Sequence, residues 1–199
     1  SEDIVAVDSG QRIVMGTFVR IIAVAENESK ANKAIEAGYE AIKKVDNLMS
    51  SYKEDSQVSL INREANEMAV KVDKWVYEVV RESFYYSELT NGAFDVTVGP
   101  LVDMWHAAGE KGELPGTEQI NEMKGRVGYE KVVLDEEAWT VQFSTEGMEI
   151  DLGGIAKGFA IDKAVEAIRE KGGIGGMVDA GGDIRCFGAT MPGKLHWQV

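Results

Sequence analysis

The chain has 199 residues, 44% of them hydrophobic and 28% charged, a globular composition with enough apolar material for a sizeable core. Its 21 Lys and Arg face 34 Asp and Glu, a formal net charge of −13, and the lysines form no basic stripe; duplex nucleic acid and anionic lipid would be repelled, so no nucleic-acid partner is expected. No apolar run reaches the ~18–20 residues that span a bilayer, the single Cys186 excludes an internal disulfide, and the acidic start Ser1-Glu2-Asp3 does not read as a secretory leader.

In chain order, residues 12–25 read as one long buried strand interrupted by Gly16, where a bulge or a close backbone approach is expected. Glu26-Asn27-Glu28-Ser29 then opens a long helix. Its apolar face, Ala31, Ala34/Ile35, Gly38, Ala41/Ile42, Val45 and Leu48/Met49, keeps a 3.6-residue period. A short helix follows, capped by Asp55 or Ser56, with Val58, Leu60 and Ile61 as its apolar positions. Asp73 caps the next, through Trp75, Val76, Val79, Val80, Ser83 and Phe84 to the stop signal Asn91-Gly92. Pro100 suits the first turn of a helix running to Gly109. A Gly/Pro loop spans 109–117, and Thr117 caps a short helix with Ile120 and Met123 inward. Strands are expected near 131–134, 138–143 and 147–151. A helix after Gly154 buries Ala160/Ile161, Ala164/Val165 and Ile168 and ends at Lys171-Gly172-Gly173. Strands return at 176–188 and 195–199. Helices and strands are segregated, so the class is α+β with a mainly antiparallel sheet and packed helices, counted as one domain over 1–199.

The most informative stretch is Glu149-Ile150-Asp151-Leu152-Gly153-Gly154-Ile155-Ala156-Lys157-Gly158. It reads as a strand ending in an acid, two glycines, and a helix with a lysine in its first turn. A helix N-terminus carries partial positive charge, so a cation there is unfavourable unless an anion faces it. Glycine amides at such a start make an anion site; an ordinary surface lysine after a tight turn is the alternative. The spacing matches neither the P-loop nor the Gly-x-Gly-x-x-Gly dinucleotide pattern. A second cluster, Asp179-Ala180-Gly181-Gly182-Asp183, is a β-turn or bulge on the plain reading. Asp151, Asp179 and Asp183 nonetheless all fall at strand ends beside glycines, as oxygen ligands of a hard cation such as Mg²⁺ would. In Gly92–Pro100, Asp95 either meets a heterocycle edge or caps a helix. Tyr52 either stacks on a flat ligand or is an ordinary half-buried tyrosine. His106 and His196 stand alone, Cys186 reads as core, and no nucleophile–base pair stands out.

Taken together, five ordered blocks resemble the FAD:protein FMN transferase family, also called the ApbE or thiamine-biosynthesis lipoprotein family. They are Met15-Gly16-Thr17; Ser51-Tyr52 with Ser59-Leu60-Ile61-Asn62; Gly92 to Leu101 with Trp105; Ile150 to Gly158; and Asp179 to Ile184. The resemblance implies Mg²⁺-dependent cleavage of the FAD pyrophosphate. FMN passes to a threonine or serine hydroxyl of an acceptor flavoprotein of the redox-pump subunit type, and AMP is released. Some members use water as acceptor and act as FAD pyrophosphatases. A non-catalytic flavin-binding module is the reading from another class. By position, Met15, Tyr52, Ala93, Phe94, Asp95 and Lys157 would contact FAD, and the Gly154 carbonyl would bind the metal; no catalytic residue is assigned. Family members generally continue beyond the point matching Val199, with further Mg²⁺ ligands and a histidine segment, so this reads as the N-terminal part of such a domain. The family also implies an extracytoplasmic or periplasmic location, with membrane contact only through a lipid anchor.

Overall fold

The computed structural model describes residues 4–197 and 199. The chain divides into two compact units, one of Ser1–Asp46 with Ala156–Val199 and one of Asn47–Ile155. Every strand pairing in both is antiparallel, as the α+β reading expects.

The first unit is a four-stranded sheet in the order β1 (Val5–Val14), β2 (Thr17–Ala25), β6 (Gly175–Ala180), β7 (Asp183–Gly188). Two helices belong with it: α1 (Glu28–Met49), whose last residues enter the second unit, and α6 (Ala156–Glu170). The single strand expected over 12–25 is a hairpin instead. Val14 pairs with Thr17, and Met15 and Gly16 form the two-residue turn with φ of 54° and 68°. Two successive positive φ values match the right-handed twist of the flanking strands. A methionine gives no sign of adopting that conformation, which is why the turn is illegible in the sequence. The bulge lies earlier, between Asp8 and Gln11. Residues 176–188 are likewise a hairpin, turning at Gly181-Gly182.

Helix α1 has the expected face: Ala31, Ala34, Ile35, Ala41, Ile42, Val45 and Met49 are all buried. Gly38 earns its place by close approach, because a Cβ there would come within 2.9 Å of Ile21 and 3.2 Å of Ile168. Tyr39, fully buried on the same helix, is held by its hydroxyl, which donates to the Val19 carbonyl at 2.9 Å and lies 2.8 Å from Ser9 Oγ. Burial pushes its phenol pKa up, against the smaller effect of the Ser9 hydrogen bond. Tyr39→Phe should cost about 1–3 kcal/mol in urea denaturation, since a buried carbonyl and Ser9 lose a partner. The raised pKa stabilises the fold below the usual tyrosine range, and that contribution disappears as pH rises through the folded value.

The second unit holds α2 (Gln57–Glu64), α3 (Lys74–Leu89), α4 (Gly99–Lys111), α5 (Thr117–Gly125) and a sheet ordered β3 (Val70–Lys71), β5 (Thr140–Phe143), β4 (Val132–Asp135). The caps at Ser56 and Asp73 form as expected, each side chain accepting a backbone N–H of the first turn. Helix α4 outruns its expected end at Gly109 and stops at Gly112, whose φ of 68° closes it. Gly116 rather than Thr117 caps α5, with Gln119 accepting its N–H; Ile120 and Met123 are only half-buried.

Two expected strands are absent among the described residues. Residues 195–197 are irregular, and Gln198 lies outside the described residues. Residues 147–151 alternate as a strand should, with Met148, Ile150 and Leu152 buried, yet no strand among the described residues pairs with them. Period-2 burial fixes which side chains face in; it does not supply a neighbour for the backbone.

Candidate functional site

That missing neighbour is supplied by side chains. Asn62, near the end of α2, donates from Nδ2 to the Ile150 carbonyl at 3.0 Å and accepts the Ile150 N–H at 2.8 Å. One turn on, Asn66 donates to the Met148 carbonyl at 3.3 Å. The Asp151 N–H reaches the Val96 carbonyl at 2.8 Å. Helix α4 presses on the same segment: a Cβ on Gly99 would meet Glu149 backbone and Cβ atoms at 2.8–2.9 Å, so only glycine fits. The segment then turns. Asp151 Oδ1 accepts the Gly153 N–H at 2.7 Å, and the Ile155 N–H closes on the Leu152 carbonyl at 3.0 Å. Gly153 and Gly154 are left exposed.

The loop before α4 is fastened by Asp95, and the cap reading is the one the structure shows. Oδ1 accepts the Thr97 N–H at 2.8 Å and the Thr97 hydroxyl at 2.7 Å, and Oδ2 accepts the Tyr129 N–H at 3.0 Å. Thr97, fully buried, takes the Gly128 N–H on the same hydroxyl at 2.7 Å. Both carboxylate oxygens therefore serve the protein's own backbone. Ala93 is exposed and Phe94 half-buried. The Phe94 ring stands edge-on to Tyr86, with centroids 6.4 Å apart at 81°, and its Cε2 would lie 3.2 Å from a Cβ on Gly154. Phe94 and the Gly153-Gly154 turn are thus packed neighbours within the second unit. Tyr52 is 87% exposed, so its face is open to a flat ligand, against the half-buried alternative.

In the first unit, Lys157 is the second residue of α6. Its Nζ lies 2.9 Å from Asp183 Oδ2, so the counterion expected from the helix-start argument is, in the protein alone, a carboxylate at the start of β7. Asp179, the other acid of that cluster, instead accepts the Gly182 N–H at 3.0 Å and closes its own hairpin. Met15 occupies its strained turn, half-buried. A non-glycine residue with positive φ is uncommon and concentrates at functional sites.

The described residues contain no group of three or more His, Cys, Asp or Glu placed to hold a metal; of the three aspartates expected at strand ends, Asp151 belongs to the second unit and Asp179 and Asp183 to the first. The exposed Gly154 carries a hard oxygen donor of the type Mg²⁺ takes, so these residues fit one part of such a site and not a whole one. His106 and His196 are exposed and Cys186 is half-buried, with burial pushing its thiol pKa up.

Beside the turn, Glu149 and Asp103 share a cavity of about 330 Å³, lined also by Pro100, Met104, Glu122 and Arg126. Burial first, then the hydrogen bond and charge of Asp103, push the Glu149 pKa above its ordinary 4.5. A raised acid pKa stabilises the fold below the unfolded value, and the contribution is lost as pH rises through the folded one. Glu149→Gln should therefore be more stable than the parent near pH 7, with the advantage vanishing below about pH 4, as urea midpoints at the two pH values would show.

The ApbE family matches residues 15–199. The FAD:protein FMN transferase of Haemophilus influenzae is 33% identical over 182 residues, covering 89% of this chain and 51% of that protein. That of Treponema pallidum is 27% identical over 204 residues, covering 96% and 56%. Among solved structures, the ApbE protein of Thermotoga maritima superposes with a TM-score of 0.80 at 33% identity over 92% of this chain and 59% of that one. The flavin transferase ApbE of Vibrio cholerae does so at 0.84 and 27%, covering 99% and 63%. The chain belongs to the ApbE family. It spans about half the length of the curated relatives it matches.

Proposed function

We propose that this chain is part of a flavin transferase domain that moves FMN from FAD to a threonine or serine hydroxyl of an acceptor protein. The observation that carries the reading is the family match over residues 15–199, with relatives named FAD:protein FMN transferase. The local chemistry supports it: an exposed glycine turn, a lysine whose ammonium is paired with a half-exposed carboxylate, and exposed or half-exposed aromatic rings at Tyr52 and Phe94. Met15, Tyr52, Ala93 and Phe94 would bind the organic part of FAD, and Lys157 its phosphates. Asp95 would contribute by holding the 93–97 loop in shape.

In the reaction, the acceptor hydroxyl oxygen attacks the phosphorus on the FMN side of the pyrophosphate. The bond to the AMP phosphate breaks, AMP leaves with the electron pair, and the hydroxyl proton passes to solvent. Lys157 would offset phosphoryl charge as it develops, which is where a fixed cation helps most. Mg²⁺, with Gly154 as one ligand, would supply further charge neutralisation. We place the protein on the extracytoplasmic side of the membrane, with a redox-pump flavoprotein subunit as acceptor, on family resemblance.

Product analysis tests the reading. The protein that carries this chain, given FAD, Mg²⁺ and a threonine-bearing acceptor peptide, should yield AMP and flavinylated peptide in equal amounts. AMP with free FMN would replace transfer by FAD pyrophosphatase activity. Tight FAD binding, indifferent to Mg²⁺ and without turnover, would leave a flavin-binding module.

A further inference from the structure

Asn62 belongs to a sequence block to which no role is attached, yet its amide does what a neighbouring strand would do. It satisfies both the N–H and the carbonyl of Ile150, at 2.8 and 3.0 Å, across 88 residues of chain. Ile150 is 1% exposed, so no solvent stands ready to replace those bonds. From there only a short path leads to the exposed glycines. Asp151 is tied through its N–H to the Val96 carbonyl, and its carboxylate holds the Gly153 N–H at 2.7 Å. Among the described residues no strand pairs with the segment; besides the backbone bond from Asp151 to Val96, it is held by side-chain bonds from Asn62 and Asn66, and Asn62 makes two of them, both to Ile150. Sheet pairing would distribute this work over many residues. Here the Ile150 share of it falls to one amide.

We infer that Asn62 is a positioning residue: it sets the register of the extended segment and thereby holds the Gly153-Gly154 turn in the conformation that receives the phosphate end of the ligand. This rests on the flavin reading for the ligand, and on geometry alone for the clamp. Only an amide presents a donor and an acceptor side by side at this length. Asn62→Leu keeps the approximate volume and removes both bonds; Asn62→Asp keeps the acceptor for the Ile150 N–H and sets a carboxylate against the Ile150 carbonyl.

Amide hydrogen exchange on the ligand-free protein tests the clamp. In Asn62→Leu, exchange at Ile150, Asp151 and Gly153 should rise at least about tenfold, the loss of a buried hydrogen-bonded pair, while Val79 and Val80 in α3 keep their protection. FAD affinity should fall about tenfold, with riboflavin, which has no phosphate, unaffected. Asn62→Asp should show the same pattern at smaller amplitude, and it carries the test if the leucine variant does not fold. An equal rise in α3 would make Asn62 a general stability residue and overturn the inference, as would unchanged exchange at Gly153. Equal loss of FAD and riboflavin would overturn the link to the phosphate end. If the parent protein binds neither flavin, the functional reading fails, and the exchange pattern alone decides for or against the clamp.

Discussion

Lys157→Ala is expected to weaken FAD binding by about tenfold to a hundredfold and to leave riboflavin binding unchanged. The magnitude follows from what a charge-assisted hydrogen bond to a phosphate contributes, about 1.5–3 kcal/mol, at roughly tenfold in affinity per 1.4 kcal/mol. The selectivity follows from placement. Lys157 stands in the first turn of α6, where the helix dipole disfavours a cation, and its Nζ already keeps Asp183 at 2.9 Å. Both partners are more than a third exposed, at 37% and 56%, so the pair itself adds little to stability and is readily exchanged for a multiply charged ligand. Asp183→Asn should accordingly shift FAD affinity the opposite way, by a few-fold, because the phosphates no longer displace an internal counterion. Isothermal titration with the two flavins reads both effects. Equal losses for FAD and riboflavin in Lys157→Ala would remove Lys157 from the phosphates.

Asp95→Asn should destabilise the protein by about 1–3 kcal/mol, measured as a drop in urea midpoint at constant slope. The substitution looks mild, since it keeps shape and one oxygen. The carboxylate, however, accepts three bonds on two oxygens, from the Thr97 N–H, the Thr97 hydroxyl and the Tyr129 N–H. An amide must turn its NH₂ toward one set of donors and leave them facing another donor. Thr97→Val should follow the same route, because it strands the Gly128 N–H, whose 2.7 Å bond to the Thr97 hydroxyl is buried. If Asp95→Asn lowers FAD affinity without changing stability, Asp95 acts on the ligand directly and the hydrogen-bond account of the loop is wrong.

These residues also show where sequence reasoning succeeds and where it stops. Helices α1, α3 and α6 were legible because their signals are local: Asp73 as cap, Asn91-Gly92 and Gly172-Gly173 as stops, and an apolar period that burial at Ala34, Ile35, Ile42, Val45, Ala160, Ile161 and Ala164 repeats. The Met15-Gly16 turn was not legible, because a methionine with φ of 54° contradicts its own propensity and is tolerated only where the surrounding hairpin imposes it. The alternation at 148–152 correctly marked which residues face inward. It could not reveal that Asn62 and Asn66, more than eighty positions away, take the place of a strand, since pairing across such distances leaves no local trace.

The site shows the same division. Lys157 stood out because it opposes the helix dipole, a conflict visible in ten residues. Asp95 is open in the sequence between ligand contact and cap, and the three hydrogen bonds show it capping. Thr97 carries no such signal, for an apolar-flanked threonine looks like filler in the sequence, whereas in the fold it bonds Asp95 and Gly128. The three aspartates at strand ends each have a partner in the protein alone. Two of them are already engaged with their own glycine turns, Asp151 with Gly153 and Asp179 with Gly182, and the third is paired with Lys157.

Phosphorus NMR of FAD titrated with the protein tests the central claim most directly. The account predicts that both phosphorus resonances broaden and shift on binding, and that Lys157→Ala needs about tenfold to a hundredfold more protein for the same change. Quenching of isoalloxazine fluorescence with the phosphorus resonances unmoved would contradict it: the chain would then hold a flavin ring and leave the pyrophosphate in solvent.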